Sequence, residues 1–498
     1  MAADKDKESI AHGDISDDKL MTSTGPNHEV MHRVYNMWTG IWRPPLPLYY
    51  TPLFACCITI FDLGGPMMLI YSTIIVCIGQ CLLMSSLAEM CSVWPYSGGQ
   101  QAFTKNLAPA RVRRFLSYLV GWLVLVGDLA ASASCAMNNA QMIGAIVQVI
   151  HPEFQMTRWS TWLMYVANIV LSVLFTFSQR HLPLISTIGG CITLGGGIAW
   201  AVSFLTLSPK QPASFVFAKF MNNSGYSSSG WVGIMSFYAP AYALYGTDGI
   251  LHIAEEMKDA QKTAPRAMIW SMLFSGITSL TGALIMGFCC GNWEEYLETD
   301  LPYIPWFVDT LNTVGGAVAF LSIIIILLNF LIIIGINTAV SRLAWGMARD
   351  NALPFSHIFV KINPVVQTPL YTILLAVVIE MAIAFGSDYA FEAIISFGQA
   401  AIQIGYLTPV LMLLWRGRRA LPVPRSFNLG PLGRVINIAS ACWSSLILIM
   451  LVFPLYVPVN AENIYNMNWS IALIGAVVLF VSVDWILRGR HHYVISGE

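Results

Sequence analysis

Charge is what this chain has least of. Asp, Glu, Lys and Arg make up 11% of its 498 residues, against about 25% in soluble domains. Hydrophobic residues supply 56%, and the mean hydropathy is +0.63. Length alone suggests about three soluble domains at roughly 150 residues each; the apolar content overrides that prior in favour of one membrane domain. A net charge of −1 leaves no basic excess for nucleic acid. No Gly-Lys-Ser/Thr phosphate loop is present, which removes a nucleotide-driven pump. There is no repeated pore-lining filter of the channel kind. No His-rich or paired-carboxylate constellation exists beyond Glu255-Glu256, so we expect no enzyme. The cysteines lack metal-ligand spacing, so we expect no metal and no other cofactor. Most of the ten cysteines lie inside apolar runs: Cys56, Cys57, Cys77, Cys81, Cys135, Cys191, Cys289, Cys290 and Cys442. Buried cysteine behaves as a small hydrophobe, and no disulfide framework is expected. The first 30 residues hold Asp14, Asp17 and Asp18 and no apolar stretch of the signal-peptide kind. We read residues 1–42 as a cytosolic tail.

What is present is a series of about twelve apolar runs, each near the ~20 residues that cross a bilayer as a helix. They cover 46–63, 66–88, 115–150, 160–178, 182–207, 231–253, 267–292, 312–341, 365–386, 392–415, 435–458 and 467–487. This predicts an all-α integral membrane domain over 43–487 and a cytosolic tail over 488–498. Orientation follows the basic residues. Lys105, Arg111, Arg113 and Arg114 follow span two, and Lys258, Lys262 and Arg266 follow span six. Arg349 and Lys361 follow span eight, and Arg416, Arg418, Arg419, Arg425 and Arg434 follow span ten. The loop after span seven is acidic, with Glu294, Glu295, Glu298, Asp300 and Asp309. Both termini are therefore placed in the cytosol. The sequons at Asn222 and Asn468 fall on the opposite side and are candidate glycosylation sites.

Span six is broken. It carries Pro240 and then Gly246-Thr247-Asp248-Gly249, each of which weakens a membrane helix or costs free energy in hydrocarbon. Irregular backbone at membrane depth survives only where protein buries it or it lines a cavity, and broken helices hold the substrate in many secondary transporters. Three other spans carry polar residues at helical spacing: Asp128, Ser132, Cys135 and Asn139 in span three; Asn329, Asn337 and Ser341 in span eight, continued by Arg342; and Ser396, Gln399, Gln403 and Tyr406 in span ten. Such stripes face the protein interior, either lining a route or hydrogen-bonding helices together. Asp128 either carries function or pairs with Arg342 or another buried base. Glu380 in span nine is a second intramembrane carboxylate, snorkelling or facing a groove. The glycines of span five, Gly189-Gly190 and Gly195-Gly196-Gly197, point to close helix packing.

Four stretches, in order and correctly placed relative to the spans, resemble a known family. They are Ala88-Glu89 with Pro95-Tyr96-Ser97-Gly98-Gly99-Gln100, Leu116-Ser117-Tyr118 with Gly121-Trp122, Gly246-Thr247-Asp248-Gly249 through His252-Ile253-Ala254-Glu255-Glu256 to Pro265-Arg266-Ala267, and Ser341-Arg342 with Ala348-Arg349-Asp350-Asn351-Ala352-Leu353-Pro354. Over roughly 63–490 the chain is similar to fungal amino acid/choline permeases of the amino acid–polyamine–organocation superfamily. The resemblance implies a five-plus-five inverted repeat with spans one and six broken and two further C-terminal helices. Substrate would sit between spans one and six, with spans three, eight and ten along its route. It implies a secondary active permease for an amino acid or organic amine, such as choline or γ-aminobutyrate, usually with a proton as coupling ion.

On that basis the candidate substrate-binding residues are Tyr242, Tyr245, Gly246, Thr247, Asp248, Gly249, Asn337 and Gln403. The aromatics Phe237, Tyr238, Tyr242 and Tyr245 offer faces for a cation. Asp128 and Asp248 are the candidates for the coupling proton, and Glu255, Glu256, Arg342 and Arg349 for an inner gate. The partners implied are a small-molecule substrate, a proton and the lipid bilayer. The plasma membrane is the expected location, with the vacuolar membrane as the alternative. A non-transporting sensor of the same fold and an exporter of a specialised metabolite are the alternative functions. Span one departs from the family: Pro44, Pro45, Pro47 and Pro52 are incompatible with a regular helix there, and no ligand is assigned to it.

Overall fold

A computed structural model describes residues 57–177, 181–296, 299, 301–383, 388–461 and 463–494. Residues 1–56, which hold the tail and most of the proline-rich first span, lie outside the described residues; of span one, only the helix α1, Cys57–Asp62, is described. The long helices follow as α2 Gly65–Cys91, α3 Gln100–Leu107, α4 Arg113–Ile150, α5 Arg158–Thr176 and α6 Leu182–Leu207. Span six is divided into α7 Ser229–Met235, α8 Tyr238–Ala243 and α9 Gly249–His252. Then come α10 Ala260–Cys289, α11 Val314–Leu321, α12 Leu327–Arg349, α13 Leu370–Ile383, α14 Asp388–Arg416, α15 Gly433–Met450 and α16 Ser470–Asp484. Among the described residues there is no sheet, only one isolated bridge between Leu63 and Asn222.

Nine described helices are long and apolar enough to cross a membrane. They correspond to spans two to five, seven, eight and ten to twelve. The exceptions are informative: span one lies mostly outside the described residues, span six is broken, and span nine is a 14-residue apolar helix. Local chemistry sets several ends. Thr157 and Ser160 close a reciprocal capping box at the start of α5. Gly64 and Gly65, at φ 113° and 71°, make the tight turn from α1 into α2, whose first turn takes Pro66. Span eight runs on to Arg349, well past the predicted end at 341, and is interrupted by a π-helical turn at Ser322–Ile326. Span eleven stops at Met450 rather than 458, because Pro454 has no N–H to donate and disfavours helical backbone in the residue before it.

Lipid is as apolar as leucine, so packing and polar contacts rather than hydrophobic transfer hold such helices together. α2 packs against α10 and α15, and α4 against α14 and α12. The pairs α2–α10 and α4–α12 are spans two–seven and three–eight, partners five apart, as a five-plus-five repeat requires. The central windows of α4, α12 and α14 are each 72% buried, against 11% for α16. The three spans with polar stripes are thus the innermost ones. In span five, Gly189 lies where a Cβ would meet Leu331 at 3.0 Å, but Gly195 meets nothing within 4 Å; close packing accounts for Gly189 and not for Gly195.

The boundary read at 487 is too early. Arg488 donates to the carbonyls of Asn351, Ala352 and Leu353 and pairs with Asp484 at 3.0 Å. Tyr493 is 1% exposed, and its hydroxyl meets Ser117 and Gln101. The start of the expected tail is part of the packed domain.

Candidate transport site

The break in span six is an unwound stretch at 244–248 between α8 and α9. Pro240 stands in α8, and Gly246 adopts φ 93°, a conformation that L side chains rarely take. The chain then re-enters a short helix whose turn brings Asp248 and His252 to the same face at i, i+4.

Asp248 and His252 meet Asp128 of α4 in the buried interior. His252 Nε2 lies 3.7 Å from Asp128 Oδ2 and 3.8 Å from Asp248 Oδ2. Both distances are in ion-pair range and too long for hydrogen bonds. The other ring nitrogen, Nδ1, is 2.9 Å from the Ser97 carbonyl oxygen. A carbonyl only accepts, so Nδ1 carries the hydrogen and Nε2 is the atom free to gain or lose a proton. Gln100 Nε2 donates to Asp248 Oδ2 at 2.9 Å, which favours the ionised form of that carboxylate. Asp128 Oδ2 receives no hydrogen bond among the described residues. Among the described residues no lysine or arginine pairs with any of the three. Asp128 therefore faces a histidine, and Arg342 is occupied elsewhere. His252, Gln100 and Ser97 were not among the candidate site residues. The i, i+4 spacing of Asp248 and His252 was the available signal; the approach of the Ser97–Gln100 turn was not visible in spacing.

Other candidates surround this cluster. Tyr245 donates to Gln403 Oε1 at 2.6 Å and stacks on Tyr406, centroids 6.1 Å apart. Tyr242 hydroxyl is 2.7 Å from Ser134 Oγ of α4, and Tyr238 hydroxyl is 3.2 Å from Ser396 Oγ of α14. The Thr247 hydroxyl is buried with no partner among the described residues. Gly249 has room for a side chain, its nearest neighbour being Ala339 at 3.8 Å. Phe237 packs on Trp443, centroids 6.0 Å apart, which is a packing role. Asn337 accepts from Ser132 at 2.9 Å and donates to Ser172 at 3.0 Å. Its amide thus joins α4 to α5 through α12.

At the C-terminal end of span six, Glu256 Oε1 is 2.8 Å from Arg342 Nε, both side chains at most 1% exposed. Arg349 holds Glu255 through two hydrogen bonds of 2.9 Å, and Ser97 N–H donates to the same carboxylate at 2.9 Å. Burial raises the Glu255 carboxyl, but the Arg349 guanidinium outweighs it and holds Glu255 below the ordinary glutamate range. The four candidates thus form two ion pairs tying the end of span six to α12. The sequon amides are both engaged: Asn222 donates to the Tyr226 carbonyl, and Asn468 to those of Leu451 and Phe453.

A bundle of apolar helices with a polar break in one central span, a buried carboxylate–imidazole cluster at that break and ion pairs at one mouth is a multi-pass membrane transporter. A family model described as "Amino acid permease" matches residues 46–477, and the chain belongs to that family. It is a permease and not an enzyme. Relatives include a protein of Macrophomina phaseolina named for amino acid/polyamine transport, 29% identical over 82% of this chain and 91% of its own length. The choline transporter of Saccharomyces cerevisiae is 28% identical over 86% of this chain and 77% of its own. Amino-acid permease 2 of Neurospora crassa is 27% identical over 96% and 88%.

Proposed function

We propose that the chain is a proton-coupled permease for an amino acid or a small organic amine, choline and γ-aminobutyrate included, with its site at the break of span six. The observation that carries this reading is the buried Asp128–His252–Asp248 cluster, with no lysine or arginine among the described residues paired to it. With His252 protonated and both carboxylates ionised, the cluster holds one net negative charge in a place where unpaired charge is costly. A proton on Asp128 neutralises it, and so does a cationic group bound at the unwound backbone. Asp128 is the acceptor of choice, because Gln100 already stabilises Asp248 as an anion. His252 between the two carboxylates links span three to span six, so protonation and movement of the broken span are one event. Tyr245 and Tyr406 supply aromatic faces for an ammonium or quaternary amine.

In this state the Glu255–Arg349 and Glu256–Arg342 pairs close the cytosolic mouth, acting as an inner gate. The names of the relatives support amino acid or amine cargo. The distribution of lysine and arginine supports cytosolic termini, and the plasma membrane is the location we assign. The test is uptake of labelled choline, γ-aminobutyrate, basic and neutral amino acids and a polyamine, at acid and neutral pH. The host cells lack their own permeases, and surface expression is checked in parallel. Saturable uptake of one compound, faster at acid pH, is expected. Surface protein that moves none of them, or moves one equally at both pH values, contradicts the reading.

A further inference from the structure

A second carboxylate lies fully inside the bundle and belongs to no ion pair. Glu380 on α13 is 0% exposed, and neither of its carboxylate oxygens has a hydrogen-bond partner among the described residues. Its position is fixed: the Tyr165 hydroxyl of α5 donates to the Glu380 backbone carbonyl at 2.7 Å. The carboxylate faces Ser132 of α4 and Asn337 of α12. Those two side chains are themselves joined, Ser132 Oγ donating to Asn337 Oδ1 at 2.9 Å, and Asn337 Nδ2 donating on to Ser172 Oγ of α5 at 3.0 Å. Ser132, Asn337 and Ser172 are all at most 2% exposed. The titratable groups facing Glu380 from the neighbouring helices are Cys135 of α4 and Tyr165 of α5, both neutral at physiological pH. α12 presents the uncharged Asn337. Among the described residues no cation pairs with Glu380.

We propose that Glu380 is a second proton-binding site of the transport cycle, distinct from the Asp128–His252–Asp248 cluster and connected to it through Ser132. An isolated carboxylate in such surroundings is stable only as the neutral acid, because ionising it costs several kcal/mol in an apolar medium. A proton on the acid group needs no cavity, in contrast to a metal cation. Ser132 stands one helical turn from Asp128 on the same face of α4, so the Ser132–Asn337 pair separates the two carboxyl groups. When the helices of spans three, eight and nine shift enough to admit water, the proton leaves Glu380 for solvent and the carboxylate is hydrated. When they close again, the proton returns.

The inference rests on the proton-coupled reading above, and the experiment separates the two. Purified protein in liposomes is given a fixed membrane voltage and a set of imposed pH gradients, and substrate accumulation is measured. Each coupled proton adds about a tenfold accumulation per pH unit. Two sites predict about a hundredfold rise per unit for the parent protein and about tenfold for Glu380→Gln, which mimics the neutral acid and keeps the fold. A parent slope of about tenfold, unaltered in Glu380→Gln but abolished in Asp128→Asn, overturns the inference and leaves the symport reading standing. A parent slope of zero with uptake intact removes the symport reading itself. If Glu380→Gln does not assemble, Glu380→Asp decides: an altered pH midpoint of uptake supports the site, and an unaltered one overturns it.

Discussion

Removing Arg342 tests whether the ion pairs between span six and α12 hold the bundle together. Its side chain is 0% exposed, Nε lies 2.8 Å from Glu256 Oε1, and Nη1 donates to Ser341 Oγ at 2.9 Å. Glu256 is 1% exposed. An exposed pair of this length contributes at most about 1 kcal/mol. Breaking a buried pair by removing one partner costs about 3–5 kcal/mol, because the other charge is left uncompensated. Replacing both partners by apolar groups of similar volume is close to neutral. Arg342→Met is therefore expected to lower stability by about 3–5 kcal/mol, and Glu256→Leu/Arg342→Met to recover most of that loss. The assay is thermal unfolding of the purified protein in detergent, with the single and double variants compared as a cycle. The single variant should fall several degrees below the parent and the double variant should lie near it. A single variant within about 1 kcal/mol of the parent, or a double variant that loses the sum of both singles, refutes the argument from burial.

Other consequences can be checked separately. Gly99 adopts φ 48°, and a Cβ there would lie 3.1 Å from His252 Cε1; Gly99→Ala should press the imidazole off Ser97 and reduce uptake at unchanged surface level, and full activity would show the contact to be slack. Glu89 is 0% exposed and accepts from Arg418 at 2.6 and 2.7 Å, from Arg425 at 3.1 Å and from the Leu429 N–H at 3.1 Å. Glu89→Leu should cost about 3–5 kcal/mol by stranding these donors and should loosen the loop between α14 and α15, read as new protease cleavage there; an intact loop would count against it. Glu255 lies below the ordinary glutamate pKa in the folded protein. The stability it contributes is complete above about pH 4.3 and is lost only as pH falls through the lower folded value. The difference in thermal midpoint between the parent and Glu255→Gln should thus stay constant from pH 7 to 5; a difference that shrinks by pH 6 contradicts the assignment.

Much of the architecture was legible in the sequence because a membrane imposes simple rules. Long uncharged runs gave nine spans the helices repeat, with ends shifted by as much as a couple of turns in spans eight and eleven, and Pro240 with Gly246 marked the break in span six. The polar stripes on spans three, eight and ten pointed inward, where the three helices are the most buried. Ends set by tertiary contacts were harder. The extension of α12 to Arg349 depends on its pairing with Glu255, and the burial of Tyr493 depends on Ser117 and Gln101, far away in sequence. At the site, Asp128 and Asp248 stood out as charges in apolar runs. Their partner His252 stood out less, its one signal being the i, i+4 spacing from Asp248. Asn337 stood out because it shares a helical stripe with Ser341 and Arg342, but its bonds to Ser132 and Ser172 come from other helices and left no mark in the sequence. Glu380 was visible as a charge, and only the packing of α4, α5 and α12 reveals that no described residue compensates it.

The central claim is that movement of substrate and proton are coupled at the Asp128–His252–Asp248 cluster. The most direct measurement is proton entry into liposomes holding a trapped pH indicator, triggered by adding the transported compound outside without any imposed gradient. The account predicts substrate-dependent acidification in the parent protein and its loss in Asp128→Asn, with substrate binding retained. Substrate entry without acidification in the parent, or equal acidification in Asp128→Asn, would contradict it.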